Sequence, residues 1–200
     1  TSLIASDKLD TKSYYFFFKH SAYITLAILI LILFSFLNPK ILTKFSFILF
    51  LIAFLSLLLV PFIGIEVKGS KRWLDLFFLP RFQPIEIIKP FFIVTLSLML
   101  TIQSRRLYFK YFLSTLFILP ILLLLVYQPD IGQTLLITMI WLALIFVSGI
   151  NIFIFFVFFL LAGSIVSYLV IFVPKFEYIK IRLLAFLDSN SGNNYQAEKA

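Results

Sequence analysis

Six stretches of this chain are almost unbroken Phe, Leu, Ile and Val, and short polar breaks separate them. Their length and apolarity predict helices over about 21–37, 45–63, 85–102, 111–127, 134–148 and 152–173. Each is near the ~20 residues that a helix rising 1.5 Å per residue needs to cross a ~30 Å hydrocarbon layer. The breaks differ in kind. NPKILTK reads as a turn, GIN as a tight break, and Pro120 as a kink that neighbouring helices must accommodate. Residues 1–20 are polar and then aromatic, ending in YYFFFKH. This predicts an interfacial lead-in, with Tyr14, Tyr15, Lys19 and His20 at headgroup level. Beyond Pro174, KFEYIKIRLLAFL sets Phe176, Ile179, Leu183, Leu184 and Leu187 on one helical face, with Lys180 and Arg182 elsewhere. That is the pattern of a helix lying in the interface plane. A polar loop, DSNSGNNYQAEKA, follows.

Composition turns this pattern into a fold class. The chain is 62% hydrophobic and 13% charged, with a mean hydropathy of +1.08, where soluble domains are about 25% charged. So much apolar surface has no aqueous partner, and the solvent must be lipid. The expected fold is all-α, a polytopic helical membrane protein with about six transmembrane helices. The apolar runs are continuous rather than alternating, which argues against a β-barrel. With no Cys and one His there is no disulfide framework and no clustered zinc or haem ligand set. A formal charge of +8 on so little polar surface suggests membrane lipid headgroups or phosphates as partners. Nucleic acid is a poor alternative, because no soluble basic domain exists to bind it. Residues 1–20 lack the layout of a signal peptide. The start at Thr1 and the close in NNYQAEKA lead us to expect a fragment.

The longest interruption, 64–90 (GIEVKGSKRWLDLFFLPRFQPIEIIKP), gathers Lys68, Lys71, Arg72, Arg81 and Lys89 with Glu66, Asp75 and Glu86. It is either a solvated connection or a membrane-surface site for an anionic, lipid-borne ligand. KGSKRW offers adjacent cations and an indole: either a snorkelling loop that touches headgroups, or a grip on pyrophosphate, with Arg as a fork and Lys as a point charge. The spacing from Gly64 to Lys71 falls short of a phosphate loop, because Ser70 stands where Lys is required. In RFQPIEIIKP, Pro84 suits the first turn of the third helix, and Glu86 and Lys89 lie three apart on one face. They are a structural ion pair at the helix start or part of a substrate cavity. QPDIGQ places Gln128, Asp130 and Gln133 at a helix-to-helix break, with Asp130 either a helix cap or a site carboxylate. His20 reads as interfacial, Trp141 as lipid-facing or packed, and RRLYFK as a topology signal. With six spans, eleven of the 17 Lys and Arg share a face with the 64–84 connection. Taken alone, the positive-inside rule puts that face in the cytoplasm.

GIEVKGSKRWLDL with RFQPIEIIKP, then YQPDIGQTLL, then IRLLAFLDSNSGNNYQAEKA resemble the SEDS family (shape, elongation, division and sporulation), whose members include RodA and FtsW. Three motifs in order, separated by the right numbers of spans, cover essentially the whole chain, and their wording leans towards FtsW. The resemblance implies a ten-span fold of which this chain holds the second to seventh spans. It implies a bundle over 1–173 with a charged extracytoplasmic hairpin at 64–84, and over 174–200 the start of a large extracytoplasmic loop with an interfacial helix. It thus places the basic hairpin outside, against the charge count, and a pyrophosphate-binding surface is a reason for cations there.

The implied function is a peptidoglycan glycosyltransferase of the bacterial inner membrane. It would polymerise lipid II in septal wall synthesis beside a class B penicillin-binding transpeptidase. The rivals are a flippase or transporter of the lipid-linked precursor and a non-catalytic division scaffold. By position in the motifs, Lys71, Arg72, Arg81 and Gln83 are implied substrate or pyrophosphate contacts. Glu86 and Lys89 match the family's ion pair, Asp130 its acidic turn position, and Arg182, Tyr195 and Gln196 its loop. Two departures stand out: Ile85 replaces a usual Ser and Ser189 a usual Pro. The family's catalytic Asp is expected beyond Ala200, so the chain alone is expected to be inactive. No cofactor is evident, and a divalent cation is left open.

Overall fold

The structure is a computed structural model that describes residues 14–67, 70–75, 81–101 and 108–181. Six helices follow one another: α1 (Tyr15–Ser35), α2 (Pro39–Ile63), α3 (Pro84–Thr101), α4 (Phe109–Tyr127), α5 (Ile131–Val147) and α6 (Ile152–Phe172). Between α2 and α3 lie two short antiparallel strands, β1 (Ile65–Val67) and β2 (Ser70–Trp73), and a 3-10 turn, Pro174–Phe176, follows α6. All helices but α5 are long and apolar enough to span a membrane, and α5 is an apolar helix of 17 residues. The protein is a multi-pass helical membrane protein. The β-ribbon is the addition that an all-α expectation left out.

Three helices start earlier than the apolar runs predict, each for a local reason. In α1 the aromatic lead-in is itself helical, and the amide of Phe18 already bonds the Tyr14 carbonyl at 2.9 Å. Lys19 and His20 are therefore helix residues rather than a preceding segment. NPKILTK is the first turns of α2, not a turn. Pro39 takes the first helical position, where no N–H is needed, and the Asn38 side chain accepts from the Lys40 amide at 3.0 Å. Likewise α5 begins at Ile131, because Asp130 caps it.

The chain divides within α2 into two compact units, Thr1–Lys44 and Phe45–Ala200. In the first, α1 is apolar on every side, with no buried residue in its span. In the second, Phe50, Ala53, Leu57 and Val60 recur at three- and four-residue spacing and bury one stripe of α2. The bundle of α3, α4 and α5 closes around Ile88, Phe92, Leu96, Ile121, Leu125, Ile137 and Ile145. Phe117 of α4 lies 4.6 Å from the ring of Phe50 and stacks on Phe92 at 5.7 Å. Lipid tails are as apolar as leucine, so this fit, rather than escape from water, holds the helices together. Trp141 is packed, not lipid-facing: it is buried and donates to the Ser114 hydroxyl at 3.3 Å. Helix α4 runs through Pro120 without ending. Helix α6 packs on α5 and buries no residue.

Gly64 closes α2. A Cβ there would collide with the Val60 carbonyl oxygen, which the Gly64 amide itself bonds at 2.8 Å. Only glycine lets the chain leave the helix this tightly and enter β1.

Replacing Trp141 with alanine removes the largest side chain between α4 and α5. It is expected to cost about 3–5 kcal/mol. Ser114→Ala removes two hydrogen bonds, the one from Trp141 and the one to the Tyr111 carbonyl, at about 0.6 kcal/mol each. Unfolding midpoints in detergent should fall in that order, and an equal fall for both would mean that packing does not dominate.

Candidate functional site at one end of the bundle

The end of α2, the starts of α3 and α5, and the ends of α4 and α6 meet on one side of the second unit, with the β-ribbon beside them. Backbone that leaves a helix must pair its polar groups elsewhere. The ribbon meets this twice. β1 pairs with β2, and Leu74 then exchanges two hydrogen bonds with Phe82, at 2.9 and 3.1 Å. Asp75 and Arg81 close the intervening loop with an ion pair at 2.8 Å. The second pairing brings Gln83 and the start of α3 alongside β2.

Strand geometry then selects among the cations. Successive side chains of a strand point to opposite faces, and β2 follows the rule: Ser70 is buried, Lys71 exposed, Arg72 half-buried and Trp73 exposed. Arg72 therefore faces the bundle, and Lys71, across from Glu66, does not.

The turn between α4 and α5 supplies the acceptor. Asp130 is buried, and one of its oxygens accepts from the Gln133 amide at 3.4 Å, capping α5. Its other oxygen accepts from Gln83 Nε2 at 3.0 Å and lies 3.7 Å from Arg72 Nε. The cap and the site carboxylate are thus one residue. The guanidinium also donates from Nη2 to the Pro129 carbonyl at 2.6 Å, which the Tyr178 hydroxyl shares at 3.0 Å. Arg72 Nε is buried with no hydrogen-bond partner among the described residues.

A second ion pair stands beside the first. Lys89 Nζ lies 2.8 Å from Glu86 Oε2, and the other Glu86 oxygen accepts from Gln133 Nε2 at 2.7 Å. At 3.7 Å the Arg72–Asp130 attraction is ~4–5 kcal/mol at an effective dielectric of about 20. Desolvation costs several kcal/mol per ion, so the pairing balances burial rather than adding much stability. Beside Arg72 and Asp130 a cavity of about 620 Å³ opens between α5, α6 and the segment 177–181. Arg72, Asp130 and Tyr178 form its polar rim, and Leu135, Val166, Val170 and Ile171 its apolar wall.

Of the residues singled out in the sequence, Arg72, Gln83, Glu86, Lys89 and Asp130 come together here. Arg81 does not, since its guanidinium bonds Asp75 instead, and Lys71 lies on the outer side of the ribbon. Arg182, Tyr195 and Gln196 lie outside the described residues. Tyr178 is the member that the sequence did not single out, and Gln133 was named there without a role. Gln133 was visible in QPDIGQ, three residues past the cap, but a neutral amide signals no chemistry. Tyr178 falls off the apolar face of its segment, and that was its only mark.

Residues 1–200 match the FtsW/RodA/SpoVE family, described as cell cycle proteins, over their whole length. The chain belongs to that family. Among curated relatives, the probable peptidoglycan glycosyltransferase FtsW of Coxiella burnetii is 32% identical over 98% of this chain and 54% of its own length. The FtsW so named in Thioalkalivibrio sulfidiphilus is 37% identical over 67% of this chain and 33% of its own. A solved structure described as "Structural coordination of polymerization and crosslinking by a peptidoglycan synthase complex" superposes with a TM-score of 0.69. It is 28% identical and covers 86% of this chain and 51% of its own. The Thermus thermophilus rod shape determining protein RodA superposes at 0.65, with 25% identity, over 82% and 54%. The chain thus spans about half the length of the FtsW/RodA/SpoVE proteins that match it end to end.

Asp130→Ala leaves Arg72 with only the Pro129 carbonyl and uncaps α5. We expect a loss of about 1–3 kcal/mol. Asp130→Asn keeps the cap acceptor and should lose less. Thermal unfolding in detergent orders the two, and equal losses would remove the cap from the account.

Proposed function

We propose that this site serves a peptidoglycan glycosyltransferase of the FtsW type, which polymerises lipid II at the outer face of the bacterial inner membrane. The observation that carries the reading is the pair of cations, Arg72 and Lys89, each backed by a carboxylate at one rim of a lipid-embedded bundle. A cavity with an apolar wall and a polar rim that includes the Arg72 guanidinium suits an amphiphile whose head is a phosphate or diphosphate. The names of the relatives support the same chemistry.

In that reaction a sugar hydroxyl of one lipid-linked unit loses its proton to a base and attacks the anomeric carbon of another. The bond from that carbon to the diphosphate oxygen breaks, and the electron pair leaves with the undecaprenyl diphosphate. Negative charge on the leaving group grows in the transition state, so fixed cations nearby lower the barrier. Arg72 contributes a planar fork whose Nε has no hydrogen-bond partner among the described residues. Lys89 contributes a point charge. The base is assigned to none of the residues described. A class B penicillin-binding transpeptidase is the proposed partner, with the 64–84 connection outside the cell.

The full-length protein, purified and given lipid II, should form glycan strands. Arg72→Ala and Lys89→Ala should each slow this by about 10²-fold. Lipid II that crosses vesicle bilayers without chain formation would instead support a transporter, and full activity in both variants would support a scaffold. A cysteine placed at Lys71 should react with an impermeant thiol reagent in intact, outer-membrane-permeabilised cells. Protection there, with labelling only after lysis, overturns the outward orientation.

A further inference from the structure

The starts of α3 and α5 are tied to each other in opposite directions. Gln83 stands three residues before Glu86, and Asp130 three residues before Gln133. Gln83 Nε2 donates across to Asp130 at 3.0 Å, and Gln133 Nε2 donates back to Glu86 at 2.7 Å. Glu86 thus meets Lys89 with one oxygen and the Gln133 amide with the other, whereas Asp130 turns a single oxygen, Oδ2, to both Arg72 and Gln83. The amides are neutral, so they aim the carboxylates without competing with Arg72 and Lys89 for charge. Their orientation follows from the chemistry: only the NH₂ end of an amide can face a carboxylate. The other end of Gln133, Oε1, is buried with no hydrogen-bond partner among the described residues. Its geometry is therefore set by Glu86. Elsewhere α3 and α5 are joined by well-filled apolar contacts around Ile88, Phe92 and Ile137. The two helices do not need the amides merely to stay together.

We propose that Gln83 and Gln133 are a reciprocal pair of positioning residues that set the spacing of Arg72 and Lys89, so that both cations meet one doubly charged phosphate ligand as a clamp. The inference rests on the diphosphate reading of the site. Loosening either strap leaves both ion pairs in place but frees their separation. The ligand must then be bound by two cations that no longer act in register. Neither amide touches the reacting atoms, and the effect belongs to ligand capture rather than to the bond-making step.

The experiment uses the full-length protein with lipid II and the variants Gln83→Leu, Gln133→Leu and their double. Each single change should raise KM about tenfold, the size of one hydrogen bond to a charged group, while kcat changes much less. The double variant should be little worse than either single, because both straps guard one distance. Gln133→Glu, which puts a second carboxylate against Glu86, should be worse than Gln133→Leu. Adding Glu86→Gln to it exchanges donor and acceptor and should recover part of KM. If a leucine variant does not fold, Gln133→Asn, polar but too short to reach Glu86, should show the same rise in KM. Unchanged KM, effects of the two straps that multiply, or a fall in kcat alone would overturn the proposal. An inactive wild type would sink the polymerase reading by itself. The straps would then be judged by thermal unfolding of the same four proteins, where additive shifts overturn them and coupled shifts support them.

Discussion

A cation at the edge of a hydrocarbon layer has little water to lean on, and that constraint arranges this whole end of the molecule. Arg72 and Lys89 sit where charge is costly and is tolerated only with a partner facing the bundle interior. Asp130 and Glu86 are those partners. Because each carboxylate also has oxygen capacity to fill, each draws in an amide. Asp130, the more buried, takes on the α5 cap as well. The polar groups thus form one connected set in a part of the protein that is otherwise Phe, Leu and Ile. Within the set, Arg72 Nε and Gln133 Oε1 have no hydrogen-bond partner among the described residues, and such groups are costly at low dielectric.

The secondary structure around the site follows from the same need. Backbone groups that leave a helix between α2 and α3 need partners elsewhere. The ribbon and the Leu74–Phe82 pairing supply them, and the Asp75–Arg81 pair closes the loop. Gly64 permits the abrupt departure from α2 that starts it. At the other junction Pro129 presents its carbonyl to both Arg72 and Tyr178, which fixes the segment after α6 against the turn before α5. The cavity lies between these two fixtures.

Much of this could be read from residue order, and the parts that could not share a cause. The helices were visible because lipid as solvent makes apolar length a direct signal, and α3, α4 and α6 begin and end within about two residues of the runs. The starts of α1, α2 and α5 were not, because aromatic side chains, a first-position proline and an aspartate cap extend helices beyond any apolar pattern. Glu86 and Lys89 were legible as a pair because helix periodicity alone sets their distance. Arg72 and Lys71 were indistinguishable in a string: choosing between them requires the phase of a strand, which exists only once β1 and β2 have paired. Arg81 looked equivalent to Arg72 until its nearest carboxylate proved to be Asp75. Gln133 had no assigned role and Tyr178 escaped notice because neutral polar side chains acquire a role only from what stands across from them.

The two-residue period of β2 has a consequence for how this family can vary. Length changes in most surface connections are absorbed harmlessly. Here, one residue gained or lost ahead of Arg72 would rotate the strand half a turn, aiming Lys71 or Trp73 at Asp130 and turning the guanidinium outward. The pairing already skips one residue of β2: Ile65 stands across from Trp73 and Glu66 across from Lys71, so Arg72 itself occupies the bulge. The ribbon behaves as a key whose cut depends on parity: it tolerates steps of two and not of one.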